Sequence, residues 1–167
     1  MTSVTLYNVL KLLHILAAVA FAGGIFARQI VRAFANRSDD VAQFAALHQA
    51  AAKVELWMIR PGSLIILALG IVMAWQTGLP MLGVLQGGNQ NWLLVSLVLY
   101  VTGMALVPTV FLPRGKKFRP LLESALAQGR MTAELRHAVH DPVVKAAHVY
   151  EMIMLVAMFA LMTLKPF

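Results

Sequence analysis

Ionisable residues inside the first apolar stretch of this sequence are the first candidates for chemistry. Tyr7, Lys11 and His14 recur every three or four residues, so in a helix they share one face, with Asn8 beside them. Ionisable groups in apolar spans are costly to bury and mark functional sites. Lys11 can extend its ammonium group to the surface as an ion or proton site. His14 cannot, and it is either a haem or metal ligand, a proton carrier, or a neutral side chain hydrogen-bonded to another helix.

A second group lies at the start of the last apolar stretch. His148 and Glu151 are one helical turn apart, and Glu151 is the only acidic residue in an apolar stretch. A glutamate there is expected to be protonated or paired, with His148, Lys145 or Arg28 as its partner. The group is either a structural ion pair or a site for a proton or cation. His148 is also a candidate haem or metal ligand at a second site.

Two weaker patterns involve methionine and histidine. Met154, Met158 and Met162 repeat every fourth residue, and a row of thioethers could bind a soft ion such as Cu(I). Methionine stripes on apolar helices are nevertheless more typical of packing. His137 and His140 have a spacing that suits a shared metal ion, but two such residues are more typical of a solvated basic helix.

The composition determines which elements position these residues. Of the 167 residues, 60% are hydrophobic and 13% are charged, and there is no cysteine. These values exclude a soluble globule, a disordered chain and a disulfide scaffold. Only helices satisfy their backbone groups across a lipid core, at about 20 residues per span. We therefore predict an all-α fold, an antiparallel four-helix transmembrane bundle in one domain. The predicted spans cover about residues 4–27, 58–77, 92–112 and 146–164.

The basic residues predict how the bundle is oriented. Segments 28–60 and 114–145 hold five and seven of the 14 Lys and Arg residues, whereas segment 78–91 holds no charge. The positive-inside rule places the two basic segments in the cytoplasm and both termini on the other side. We predict a multi-pass protein of a bacterial inner membrane whose partner is the lipid bilayer. Nucleic acid is not an expected partner, because basic flanks are ordinary in membrane proteins.

Short cytoplasmic helices are predicted between the spans. Ser38 is expected to cap a helix that continues unbroken into the second span until Pro61 disturbs it. Asp141 followed by Pro142 is a typical helix start, with a capping side chain before a proline at the first position. Two further short helices are predicted at residues 120–127 and 132–139.

Helix geometry predicts which residues surround His14. At 1.5 Å per residue, His14 and His148 differ in depth by about 16 Å, so they should not share one iron. At the depth of His14, the predicted neighbours are Met73, Tyr100 and Met158. His14 alone, or His14 with a methionine, is then a candidate set of axial haem ligands.

The first span resembles a known group of membrane proteins. The run Lys11–Leu16, with alanine-rich sequence and Gly23-Gly24 after it, resembles the first helix of CopD-type copper-resistance proteins and HemJ-type protoporphyrinogen oxidases. It also resembles an uncharacterised family of small predicted integral membrane proteins. The run Arg60-Pro61-Gly62 with Gly70, and the terminal run 161–166, are similar to this last family.

The resemblance implies a four-helix core and, for HemJ-type members, haem b with the first-helix histidine as ligand. His14 matches that position. The HemJ-type pattern also has a lysine in the third helix, and residues 92–112 contain none. This departure argues against protoporphyrinogen oxidation but leaves haem binding open.

The leading functional hypothesis is a membrane-embedded b-type haem protein with a redox, electron-transfer or haem-handling role, which could make it a haem-dependent oxidoreductase. Its expected partners are a redox protein or quinone. No catalytic residue is assigned, because no nucleophile and base are paired in the sequence. The alternatives are a transporter of copper or another small solute, and a non-catalytic membrane subunit. Small residues on the first span also suit a homodimer.

Overall fold

The computed structural model describes residues 3–166, and this part of the chain contains helices and turns but no strand. The all-α prediction is therefore confirmed. The seven α-helices are α1 (Ser3–Ala35), α2 (Val41–Val54), α3 (Arg60–Gln76), α4 (Trp92–Leu106), α5 (Leu112–Ala127), α6 (Ala133–Val139) and α7 (Pro142–Leu164).

Two π-helical turns join α-helices into longer rods. Glu55–Ile59 connects α2 to α3, and Val107–Phe111 connects α4 to α5. Four helical segments are long and apolar enough to cross a membrane: Val4–Ala35, Val41–Gln76, Trp92–Ala127 and Ala133–Leu164. The first three are about 50 Å long at 1.5 Å per residue, and α7, the longer helix of the fourth, is about 35 Å long, so each exceeds a hydrocarbon core of about 30 Å. The helices thus extend further than the predicted spans. We call the end with the basic segments the basic end and the opposite end the terminal end.

Prolines and caps explain where the helices differ from the prediction. Pro61 does not end its helix, because the preceding π-helical turn shifts the hydrogen-bonding pattern where the proline lacks a donor. Pro120 was predicted to begin a short helix, but it lies inside α5 at an exposed position. The prediction that Ser38 caps α2 was wrong. The Asp40 carboxylate accepts from the Ala42 amide at 2.8 Å, while Ser38 Oγ donates to Gln43 Oε1 at 2.7 Å.

The predicted start of the last helix is confirmed. The Asp141 carboxylate accepts hydrogen bonds from the amides of Val143 and Val144, at 2.8 and 3.3 Å. Pro142 occupies the first helical position, where a missing amide hydrogen costs nothing. The short helix before it is capped by Thr132. These capping bonds fix the residue at which α7 begins. They thereby determine where His148 and Glu151 lie along the helix.

Small residues allow α1 to pack closely on the second rod. A Cβ atom at Gly24 would lie 3.0 Å from Ile59 Cγ1 and from Met58 Cβ. A buried cluster forms at this contact from Ala22, Ile25, Ile59 and Leu155. Many large apolar side chains elsewhere on the helices are exposed, as expected for surfaces that face lipid.

This contact gives a matched test in adjacent residues. Gly24→Leu inserts a side chain where Ile59 and Met58 leave no room, whereas a Cβ atom at Gly23 would meet nothing within 4 Å. Overpacking of this kind costs about 1–3 kcal/mol. We expect the free energy of unfolding of Gly24→Leu to fall below that of Gly23→Leu by that amount, measured by denaturation in detergent. Equal stability of the two variants would contradict the close packing of α1.

Candidate functional site

A cavity of about 510 Å³ lies between α1, α3, α4 and α7 toward the terminal end. Its volume is within the range of about 300–1,000 Å³ that is typical of small-molecule sites. His14 lines it together with Met73, Tyr100 and Met158, the three neighbours predicted from helix geometry. We call it the His14 cavity.

The His14 ring packs directly against the backbone of α3, because Gly70 has no side chain at that point. A Cβ atom at Gly70 would lie 3.4 Å from His14 Cε1, so glycine lets the ring lie directly on the backbone. His14 Nδ1 is buried and has no hydrogen-bond partner of ordinary geometry. The backbone carbonyl of Ile66, one turn before Gly70, lies near the ring. A buried nitrogen without a bond is unusual, and it marks this ring as a functional candidate.

The His14 cavity is rich in sulfur. The methionine stripe on α7 faces it, and further methionines come from α3, α4 and the turn after α3. The six are Met73, Met81, Met104, Met154, Met158 and Met162. Two lysines also line it: Lys11 from α1 and Lys165, whose ammonium lies 5.3 Å from the centre of the Trp92 ring. The sequence predicted the stripe and Met73, but only the fold shows that Met81 and Met104 line the same cavity.

Tyr100 has a structural bond in this cavity. Its hydroxyl donates to the backbone carbonyl of Ser63 at 3.3 Å. Ser63 lies in the first turn of α3, so this bond joins α3 to α4. Tyr100 therefore shapes the wall, and its hydroxyl is already engaged.

A charged network lies nearer the basic end. The Arg28 side chain is only 3% exposed, and it contacts Glu151 at 2.6 Å and Glu55 at 3.5 Å. Glu151 also accepts from His148 Nδ1 at 2.7 Å. Two of the predicted partners of Glu151 are therefore confirmed. The third, Lys145, forms no salt bridge within residues 3–166.

Both ring nitrogens of His148 are engaged in this network. The Arg32 guanidinium can only donate, so His148 Nε2 accepts from it and Nδ1 carries the hydrogen that is donated to Glu151. The Phe111 ring stacks on the imidazole at 4.9 Å between centroids. The arrangement makes His148 a link between an arginine and a carboxylate, so either nitrogen would have to exchange its present partner for a metal in order to act as the predicted ligand.

The two π-helical turns supply residues to this network. Glu55 begins the first turn and contacts Arg28, and Phe111 ends the second turn and stacks on His148. Single π-helical turns within α-helices are frequent at functional sites. Sequence reasoning missed both residues, because Glu55 lies outside the predicted second span and Phe111 carries no ionisable group.

Comparison with known families agrees with this architecture. Residues 8–166 match the model of a family described as "Predicted integral membrane protein (DUF2269)". The chain belongs to this family. The matched range includes the charged network and every residue of the His14 cavity except Tyr7. No curated protein and no solved structure matches the chain.

Membership of the DUF2269 family confirms that this is an integral membrane protein, as the sequence predicted. The relation to CopD-type and HemJ-type proteins stays a prediction. The structure places His14 in one cavity and His148 in another, so the two rings do not face a shared site. Among residues 3–166, no group of three or more His, Asp or Glu side chains is arranged to hold a metal ion.

Proposed function

We propose that this protein binds b-type haem in the His14 cavity, with His14 as an axial ligand, and serves a redox, electron-transfer or haem-handling role. The observation that carries the proposal is a histidine with a buried, unbonded Nδ1 on the wall of a largely apolar cavity between four helices. When bound, haem supplies one-electron chemistry whose potential depends on its axial ligands.

The surroundings of His14 suit a ligating imidazole. A metal-ligating histidine almost always donates its other ring N–H to a carboxylate, water or backbone carbonyl. Here Nδ1 is buried against α3, and the carbonyl of Ile66 lies near the ring. A hydrogen bond from Nδ1 to the Ile66 carbonyl would fix the orientation of the ring. Nε2 would then be the nitrogen that coordinates the haem iron.

Other lining residues suit the remaining parts of haem. Thioether sulfur is a known second axial ligand, and Met73 and Met158 both line the cavity with His14. Lys11 and Lys165 provide two cations for the two propionate carboxylates. Tyr100 is the weakest of the predicted ligands, because its hydroxyl is bonded to Ser63.

The proposed orientation assigns the sides of the membrane. The basic end faces the cytoplasm of a bacterial inner membrane, and the His14 cavity then lies toward the outer side. A quinone in the bilayer or a redox protein at the outer surface would exchange electrons there. A homodimer through the small residues of α1 also stays a prediction.

An absorption spectrum of the detergent-purified protein tests the proposal directly. After expression with ample haem supply, we expect a Soret band in the oxidised protein and sharpened visible bands after dithionite reduction. A colourless protein from the same preparation would overturn haem binding.

Copper handling is the second candidate, because six methionines line one cavity and thioethers favour Cu(I). A colourless protein that binds Cu(I) would support it. Binding should then fall in the double variant Met158→Leu/Met162→Leu and persist in Met58→Leu, whose side chain lies outside the cavity. Equal Cu(I) binding by both variants would exclude the methionine row as the site.

A further inference from the structure

A second, larger cavity of about 1410 Å³ lies at the basic end. Residues from α1, α2, α5, α6 and α7 line it, and its charged residues are predominantly basic. They are Arg32, Arg114, Lys117 and Lys145, against Glu134 and Asp141. We call it the basic cavity. It is distinct from the His14 cavity, and nothing in the proposed haem site uses its cations.

Arg32 is a partly buried cation of this cavity that has no carboxylate partner within residues 3–166. Its guanidinium contacts the neutral ring of His148, its Nε is buried without a hydrogen-bond partner, and it forms no salt bridge in the described part of the chain. The side-chain amide nitrogen of Gln29, which also lines the cavity, is buried and unbonded. A cation and an amide that are partly desolvated without acceptors are costly to keep. Both residues line the basic cavity, so an anion bound there would lie beside a partly buried cation that no carboxylate of the described residues neutralises.

The acidic residues of the cavity do not neutralise Arg32. The Asp141 carboxylate accepts from Arg114 Nε at 2.8 Å and also caps α7. Lys117 and Lys145 are exposed and form no salt bridge among residues 3–166. Three cations around one cavity therefore lack a carboxylate partner.

We propose that the basic cavity binds a phosphate group through Arg32, Lys117 and Lys145. A phosphate presents several strong acceptor oxygens, and an arginine fork with two lysine ammonium groups provides matching donors. The headgroup of an anionic phospholipid and a soluble phosphate compound share this chemistry. The position between helices at the basic end suits a lipid headgroup, since such basic pockets lie beside the anionic membrane surface.

Thermal unfolding of the full-length protein in detergent separates the two sources. One arm compares micelles containing phosphatidylglycerol with micelles containing phosphatidylcholine. The other compares inorganic phosphate with chloride at equal ionic strength. A ligand at about tenfold its Kd should raise the Tm by about 3–5 °C. The test variant is Lys117→Gln/Lys145→Gln, and the matched control is Lys53→Gln/Lys116→Gln, which removes the same charge from exposed positions outside the cavity.

A Tm rise with phosphatidylglycerol that falls to less than about half in the test variant and is kept in the control supports a lipid headgroup. The same pattern with inorganic phosphate supports a soluble ligand. In either case the test variant should bind its probe about fivefold to tenfold more weakly, as expected for two exposed charges. No Tm rise with either probe, or equal responses of the two double variants, would overturn the proposal. The haem spectrum is independent of all these outcomes, so failure here leaves the proposed function standing.

Discussion

Replacing Arg28 with methionine is expected to lower the free energy of unfolding by about 3 kcal/mol, near the lower limit for breaking a buried ion pair. Arg28 is 3% exposed and bonds to two carboxylates, Glu151 at 2.6 Å and Glu55 at 3.5 Å. Removing the cation leaves both carboxylates near one another in a desolvated site. The cost is near the lower limit because Glu151 keeps its bond to His148 and Glu55 keeps its contact with Arg60.

Arg60→Met is the matched control for this variant. It also removes one positive charge and one contact to Glu55, at 3.2 Å, but the Arg60 side chain is 59% exposed. Exposed ion pairs contribute less than about 1 kcal/mol. Unfolding of both variants by a denaturing detergent, followed by circular dichroism, measures the difference. Equal stabilities would contradict a buried network that joins α1 to α7.

A double variant separates the ion pair from general packing effects. Arg28→Met/Glu151→Gln removes both charges of the 2.6 Å pair, so no uncompensated carboxylate stays at position 151. Its loss of stability should be smaller than the sum of the two single losses, by about 1 kcal/mol or more. Additive losses would show that the two side chains contribute independently.

The features predictable from the sequence are those that depend on local patterns. Four apolar stretches require four helices because lipid offers no partner to an open backbone. The Asp141-Pro142 start of α7 follows from capping alone, and the structure has it there. Counting along straight helices from one membrane surface also placed Met73, Tyr100 and Met158 in the cavity of His14. A common depth is enough for that prediction, because the helices are antiparallel and the cavity lies between them.

The features beyond prediction depend on how helices face one another. Arg28 was predicted only as one of three possible partners of Glu151, which is 123 residues away in the sequence. The contact between Arg32 and His148, 116 residues apart, was not predicted. Periodicity assigns each side chain to a face of its own helix, but it does not determine the rotation of that face toward a partner. The π-helical turn at Glu55–Ile59 adds a further rotation that an α-helical count omits. Glu55 therefore enters the network from a segment that was predicted as a cytoplasmic helix outside the second span.

His14→Ala is expected to lower the haem content of the purified protein by at least about tenfold, or to shift the bands of any haem that stays bound. Loss of a supporting partner of a ligand already costs about 10-fold to 100-fold in metal affinity, and loss of the ligand itself should cost no less. The ring lies on Gly70 and lines the cavity, so its removal opens space beside the proposed iron site. Added imidazole should enter this space and restore part of the Soret absorbance.

His137→Ala is the control, because His137 is exposed and lines the basic cavity instead. Its spectrum should equal that of the unaltered protein. Imidazole rescue separates ligation from folding, since a variant that merely misfolds would not regain a defined spectrum when a small base is added. An unchanged spectrum in His14→Ala would remove His14 as the ligand. Because both nitrogens of His148 are engaged by Arg32 and Glu151, the methionines of the same cavity would then be the next residues to replace.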